Sequence, residues 1–159
     1  CFLPHGNYQK LVVEEMKGKP ESGNIVTEDG EVLGKHNGLF NYTIGQRKGL
    51  GIAYKHPLYV IGFNGERNEV IVGPNERLFT NRMICKFYNF LDDTIHKELK
   101  AEGKIRYAAN PSPCTARILD DDTMEVIFEE PQRAITPGQS VAFYNGTQLL
   151  GGAVIDRVC

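Results

Sequence analysis

Between Asn41 and Ile52 the chain reads Asn-Tyr-Thr-Ile-Gly-Gln-Arg-Lys-Gly-Leu-Gly-Ile, which sets Gln46, Arg47 and Lys48 between Gly45 and Gly49. Glycine has no Cβ to hold a ligand away, so such a loop can bring backbone N–H groups and cations up to a phosphate. From Gly34 to Pro57 the charged residues are Lys35, Arg47, Lys48 and Lys55, with no Asp or Glu. In a chain of net charge −2 this is a local basic surface and not a property of the whole. The pattern is not a Walker loop, because no Gly-Lys-Ser/Thr ends it, and it is not a Rossmann fingerprint. The same residues also suit a solvated hairpin with ordinary lysines, and spacing alone leaves both readings open.

The cysteines come next. Cys1, Cys85, Cys114 and Cys159 are far apart and include no Cys-x-x-Cys pair. A zinc site or a disulfide framework is not expected, and reduced thiols are the default. Cys85 and Cys114 lie in strand-like sequence, where a free cysteine behaves as a small hydrophobe. Cys159 is terminal and expected to be mobile. His36 and His56 read as loop histidines, since no second ligand stands at metal spacing from either. Asp120-Asp121-Asp122 reads as a solvated turn, without the alternation of a calcium loop. No metal site is expected.

These groups need a scaffold. Of 159 residues, 24% are charged and 41% hydrophobic, which is ordinary globular composition. Residues 7–16 read as one short helix, with Asn7 as N-cap and with Gly18 and Pro20 ending it. After that the signals are β. Residues 25–27 and 31–33 flank the turn Glu28-Asp29-Gly30, and residues 58–63 and 70–72 flank a second turn at 64–68. The run from Pro74 to Arg77 breaks the pattern, predicting domains at 1–78 and 79–159. Beyond it, strands are predicted at 83–90, 104–108, 114–119, 124–128, 140–144 and 152–156. Short strands at such regular spacing argue for a small closed barrel. The expected fold class is therefore all-β: two small β domains, the second a closed barrel, with one short N-terminal helix. Apolar runs of only a few residues predict no membrane-spanning segment.

Several motifs in one order carry a more specific likeness. His36-x-Gly38-Leu39 is followed by Tyr42 to Gly51, then by Pro57-Leu58-Tyr59-Val60 and Asn68-Glu69-Val70-Ile71-Val72-Gly73. Later come Ile105-Arg106-Tyr107, the run from Pro131 to Val141, and Leu150-Gly151-Gly152-Ala153-Val154-Ile155. This series resembles the tRNA-specific 2-thiouridylase family, bacterial and organellar enzymes that exchange oxygen for sulfur on the wobble uridine of tRNA. The likeness extends over nearly the whole chain. It implies that the second domain is a barrel similar to the second domain of translation elongation factors.

The resemblance also implies roles. The family's N-terminal domain binds ATP, with magnesium, through a Ser-Gly-Gly-Val-Asp-Ser type loop that has no counterpart here. The chain is therefore expected to be a C-terminal fragment of a cytoplasmic sulfurtransferase, inactive alone. Cys1, in Cys-Phe-Leu-Pro, matches the family's persulfide-carrying cysteine. A thiolate with a lowered pKa suits this work, and S–S bonds exchange readily. A sulfur-donor protein and a transient disulfide with a cysteine of the ATP domain are implied with it. His5-Gly6 departs from the usual family loop, which leaves the local geometry open. Arg106, Tyr107 and Gln139 match the family's tRNA contacts, and RNA recognition does favour cations beside aromatics that stack on unpaired bases. Gln46, Arg47 and Lys48 could hold the tRNA backbone or pack against the ATP domain. Two alternatives stand beside this reading. One is a stand-alone RNA-binding β-barrel without catalysis. The other is an interaction module with no RNA role, which the overall negative charge would suit.

Overall fold

The computed structural model describes residues 21–91 and 97–159; Cys1 and the helix expected at 7–16 lie outside them. The chain divides into two compact units, Cys1–Arg77 and Leu78–Cys159.

In the first unit four strands form a sheet: β1 (Ser22–Thr27), β2 (Val32–Asn37), β3 (Tyr59–Asn64) and β4 (Glu69–Gly73), in the order β2-β1-β4-β3. The Asp-Gly turn closes the β1–β2 hairpin as expected, with Gly30 N–H donating to Thr27 O at 3.0 Å. β3 and β4 form the second antiparallel hairpin, and β1 runs parallel to β4 from Asn24↔Glu69 to Thr27↔Val72. Apolar side chains at alternate positions meet on one face, where Ile25, Val60, Val70 and Val72 are buried. Arg77 grips the Glu28 carboxylate with two nitrogens, Nε to Oε2 at 2.8 Å, and so ties the first turn to residues 75–78. That hydrogen bond holds the Glu28 carboxyl below the usual carboxylate range.

His36 is not the loop residue that its neighbourhood predicts. It lies in β2 and is 1% exposed. Gly38 N–H donates to its Nδ1 at 3.1 Å, which leaves Nε2–H to donate to Asn68 O at 3.0 Å. Both ring nitrogens are thus used in holding β2 to the turn before β4. A polar ring can be buried at little cost when both nitrogens are paired.

The second unit is a closed six-stranded barrel in the order β10-β5-β8-β7-β6-β9. Its strands are β5 (Phe79–Phe90), β6 (Glu98–Lys104), β7 (Ser112–Ile118), β8 (Thr123–Arg133), β9 (Ser140–Asn145) and β10 (Gln148–Val158). The register slips between Thr80 and Arg82, between Gly152 and Val154 and between Ile155 and Arg157. Such bulges let long strands bend around a barrel. Met83, Met124, Val126, Phe128, Phe143 and Ile155 fill the interior. Asp120 accepts from Asp122 N–H at 3.0 Å and Thr123 N–H at 2.8 Å, so the triple-Asp segment is a hydrogen-bonded turn.

One predicted strand is misplaced. Residues 105–109 form a turn, closed by Ala109 N–H donating to Arg106 O at 3.2 Å. The strand of this region is β6, before the turn. It alternates Glu98, Lys100 and Glu102 with Leu99, Ala101 and Gly103, a composition with little intrinsic β preference. Pairing with β7 on one side and β9 on the other makes it a strand nonetheless.

Candidate functional site

The glycine loop of the first unit is held from both ends and from within. Gly45 N–H donates to Val60 O at 2.8 Å and Val60 N–H donates to Gln46 O at 2.9 Å, so β3 carries the loop on its edge. The Gln46 amide staples the interior: Thr43 N–H donates to Oε1 at 3.0 Å, and Nε2 donates to Lys48 O at 3.0 Å. Leu50 then drops into the sheet core at 7% exposure. Gly49 and Gly51, on either side of it, have φ of 79° and 67°. Only glycine enters that left-handed region without strain, so the two residues let the chain dip to bury Leu50 and rise again. The result is a fixed turn with Arg47 and Lys48 exposed at its tip.

Downstream of the tip the chain curls around a cavity of about 480 Å3, bounded by Arg47 and by the segment from Gly49 to Leu58. Tyr54 and His56 both line it and meet edge to face, ring centroids 5.0 Å apart, and Lys55 Nζ lies 5.8 Å from the Tyr54 centroid. No Asp or Glu lines the cavity. The signal for it in sequence is the aromatic–basic–aromatic run Tyr54-Lys55-His56 just after the glycines.

The barrel brings Arg106 and Gln139 to one corner. The Arg106 guanidinium donates to Ala134 O and, at 3.3 Å, to Thr136 Oγ1. Gln139 N–H donates to Thr136 O at 3.2 Å, and its own carbonyl accepts from Ile155 N–H at 2.8 Å. Ala134 is buried with a φ of 55°, so the Arg106 bond and a 2.7 Å bond from Ala134 N–H to Leu78 O hold a strained backbone position. Arg106 therefore braces the loop that presents Gln139. Tyr107, by contrast, is 98% exposed, with Lys104 Nζ 5.7 Å from its ring centroid. Thr136 and Lys104 escape a reading of sequence alone, because nothing in their spacing ties them to Arg106 and Tyr107.

The three cysteines among the described residues are free thiols. Burial pushes Cys85 up to about 12 and Cys114 up to about 11, so both are poor nucleophiles and serve as core. Cys159 is exposed, but its backbone is tied to β5: its N–H donates to Arg82 O at 3.1 Å and its carbonyl accepts from Thr80 Oγ1 at 2.9 Å. Among the described residues no His, Cys, Asp and Glu side chains gather as a metal would require, and no helix is long and apolar enough to cross a membrane.

Comparison with known proteins fits these two units. Residues 10–74 match the family model described as the tRNA methyl transferase PRC-barrel domain, and residues 80–155 match the aminomethyltransferase beta-barrel domain. The chain is 44% identical over 158 residues to the tRNA-specific 2-thiouridylase MnmA of Clostridioides difficile (strain 630). It is 45% identical over 159 residues to MnmA 1 of Clostridium tetani (strain Massachusetts / E88), and 44% over 157 residues to MnmA of Geotalea uraniireducens (strain Rf4). Each alignment takes in 99% of this chain, while the chain spans only 44%, 44% and 42% of those relatives. The chain belongs to the tRNA-specific 2-thiouridylase family, of which it represents the central and C-terminal portion.

Proposed function

We propose that this chain supplies the tRNA-holding part, and the persulfide cysteine, of a cytoplasmic tRNA 2-thiouridylase. The observation that carries the reading is the 44% identity, over 99% of the chain, to a protein named for thiolating tRNA. The barrel corner supports it. Tyr107 offers an open ring beside Lys104, and Gln139 sits on a braced turn, where its amide can bond a base edge or a ribose hydroxyl.

In this reading Cys1, outside the described residues, carries the sulfur. A sulfur-donor protein loads it as a persulfide. The terminal sulfur bonds to the uridine carbon as the activated oxygen leaves, and a second thiol accepts the broken S–S bond as a transient disulfide. ATP, with magnesium, is assigned to the ATP-binding domain that the family resemblance implies.

The test is tRNA binding by the 159-residue chain, with an unmodified transcript at about 50 mM and about 200 mM salt. Binding should be measurable at low salt and weaken as salt rises, because each neutralised phosphate releases counterions. Arg106→Ala should weaken it by roughly 1–3 kcal/mol, but this change also removes the brace on Ala134. Tyr107→Ala is the cleaner variant, since a side chain 98% exposed carries no packing, and a loss of roughly 1–3 kcal/mol is expected for one stacked base. Absent or salt-insensitive binding would refute the proposal.

A further inference from the structure

We infer that the cavity behind the glycine loop is a second RNA subsite, which takes one unpaired nucleotide with its base on the Tyr54–His56 pair and its phosphate on Arg47 or Lys55. The inference rests on the tRNA reading above and adds a contact on the other structural unit. Four features carry it. The cavity, about 480 Å3, lies within the ~300–1,000 Å3 that small-ligand sites occupy. Tyr54 and His56 are both exposed and meet edge to face rather than in a stack, with Lys55 Nζ near one face of the Tyr54 ring. Arg47 and Lys55 share the lining, and no carboxylate there competes with a phosphate. Finally, the segment is anchored at both ends: Gln46 staples the loop before it, and Leu50 and Leu58 are buried in the sheet core, which limits the ordering entropy lost on binding.

RNA fits this surface better than a protein does. The buried centres of protein interfaces are depleted in lysine, whereas Lys48 and Lys55 stand exposed here beside Arg47. Aromatic rings interleaved with cations are the recurring device for single-stranded nucleic acid, because every base has a face to stack while the cations follow the backbone.

The experiment compares the 159-residue chain with its Tyr54→Ala, Tyr54→Phe and Arg47→Ala/Lys55→Ala variants. The probes are an unmodified tRNA transcript and a short single-stranded oligouridylate, with thermal unfolding measured in parallel. Tyr54→Ala should lose roughly 5- to 100-fold in affinity for both probes, while Tyr54→Phe, which keeps the ring, should bind nearly as the parent. The Arg47→Ala/Lys55→Ala variant has exposed positions only and should fold normally. It should reduce the slope of log affinity against log salt by about 1, the share of one phosphate contact. Tyr107→Ala serves as the reference. If it weakens binding while the Tyr54 and Arg47/Lys55 variants do not, the tRNA reading stands and this subsite is refuted. If none of them changes binding, the tRNA reading itself fails. Unchanged tRNA affinity with reduced thiolation in the complete enzyme would assign the cavity to a protein contact and overturn the inference. Should Tyr54→Ala unfold, the Arg47/Lys55 salt slope decides alone.

Discussion

At the scale of single residues, the charged tips are set by neutral side chains that never leave the fold. Gln46 looks like a ligand group in sequence, yet its amide spends both ends on Thr43 and Lys48 of its own loop. Gln46→Ala should cost about 1–2 kcal/mol of stability in urea unfolding, one modest term for each lost bond, and should lower RNA affinity only by loosening the loop. A stability equal to the parent's would show that the staple is idle. The buried thiols give a pH prediction with a definite sign. Both have an ordinary value of 9.0, raised to about 12 for Cys85 and about 11 for Cys114. As pH rises from 9.0 toward about 11, the unfolded chain sheds protons that the barrel keeps. Stability therefore falls with rising pH in that window, and is unaffected by these thiols below it. A Cys85→Ala/Cys114→Ala variant should show a flatter decline in unfolding free energy across the same window. Parallel slopes for the two proteins would contradict the assignment.

At the scale of elements, β6 is the strand on which barrel closure turns. It pairs with β7 and β9, and Gly103 lets it pass close to the interior. A Cβ at Gly103 would meet Phe128 Cε1 at 2.7 Å and Cys114 Sγ at 2.9 Å. Gly103→Ala should cost roughly 1–3 kcal/mol by overpacking, read as a lowered unfolding midpoint of the barrel unit. No change would mean that the core yields there. The same strand marks the limit of what the sequence reveals. The hairpins around Asp29-Gly30 and residues 64–68 are legible because turn residues and β-branched runs act locally. β6 is not, because charged and small residues become a strand only through neighbours distant in sequence. The site divides the same way. The basic glycine loop can be read directly, since glycine freedom and charge are properties of residue type. The bracing role of Arg106 cannot, since it depends on a contact to Ala134 and Thr136 about thirty residues away.

At the scale of the whole molecule, a net charge of −2 and an RNA ligand are compatible because the charge is unevenly placed. Cations gather in the acid-free stretch from Lys35 to Lys55, while some acids elsewhere are paired, as Glu125 is with Arg82 at 2.7 Å on the barrel and Glu28 with Arg77 in the first unit. Among the described residues Tyr54 and Tyr107 share no partner, so the losses from Tyr54→Ala and Tyr107→Ala should be close to additive. Holding the tRNA is useful to the enzyme only if the sulfur is delivered to it, and Cys1 is the thiol that the family resemblance proposes to deliver it. The most direct measurement is a Cys1→Ser change in the complete enzyme, with 2-thiouridine in tRNA quantified by mass spectrometry alongside tRNA affinity. Thiolation should be abolished while tRNA binding stays at the parent level. Thiolation at the parent rate would contradict the proposal and leave Cys1 an ordinary thiol.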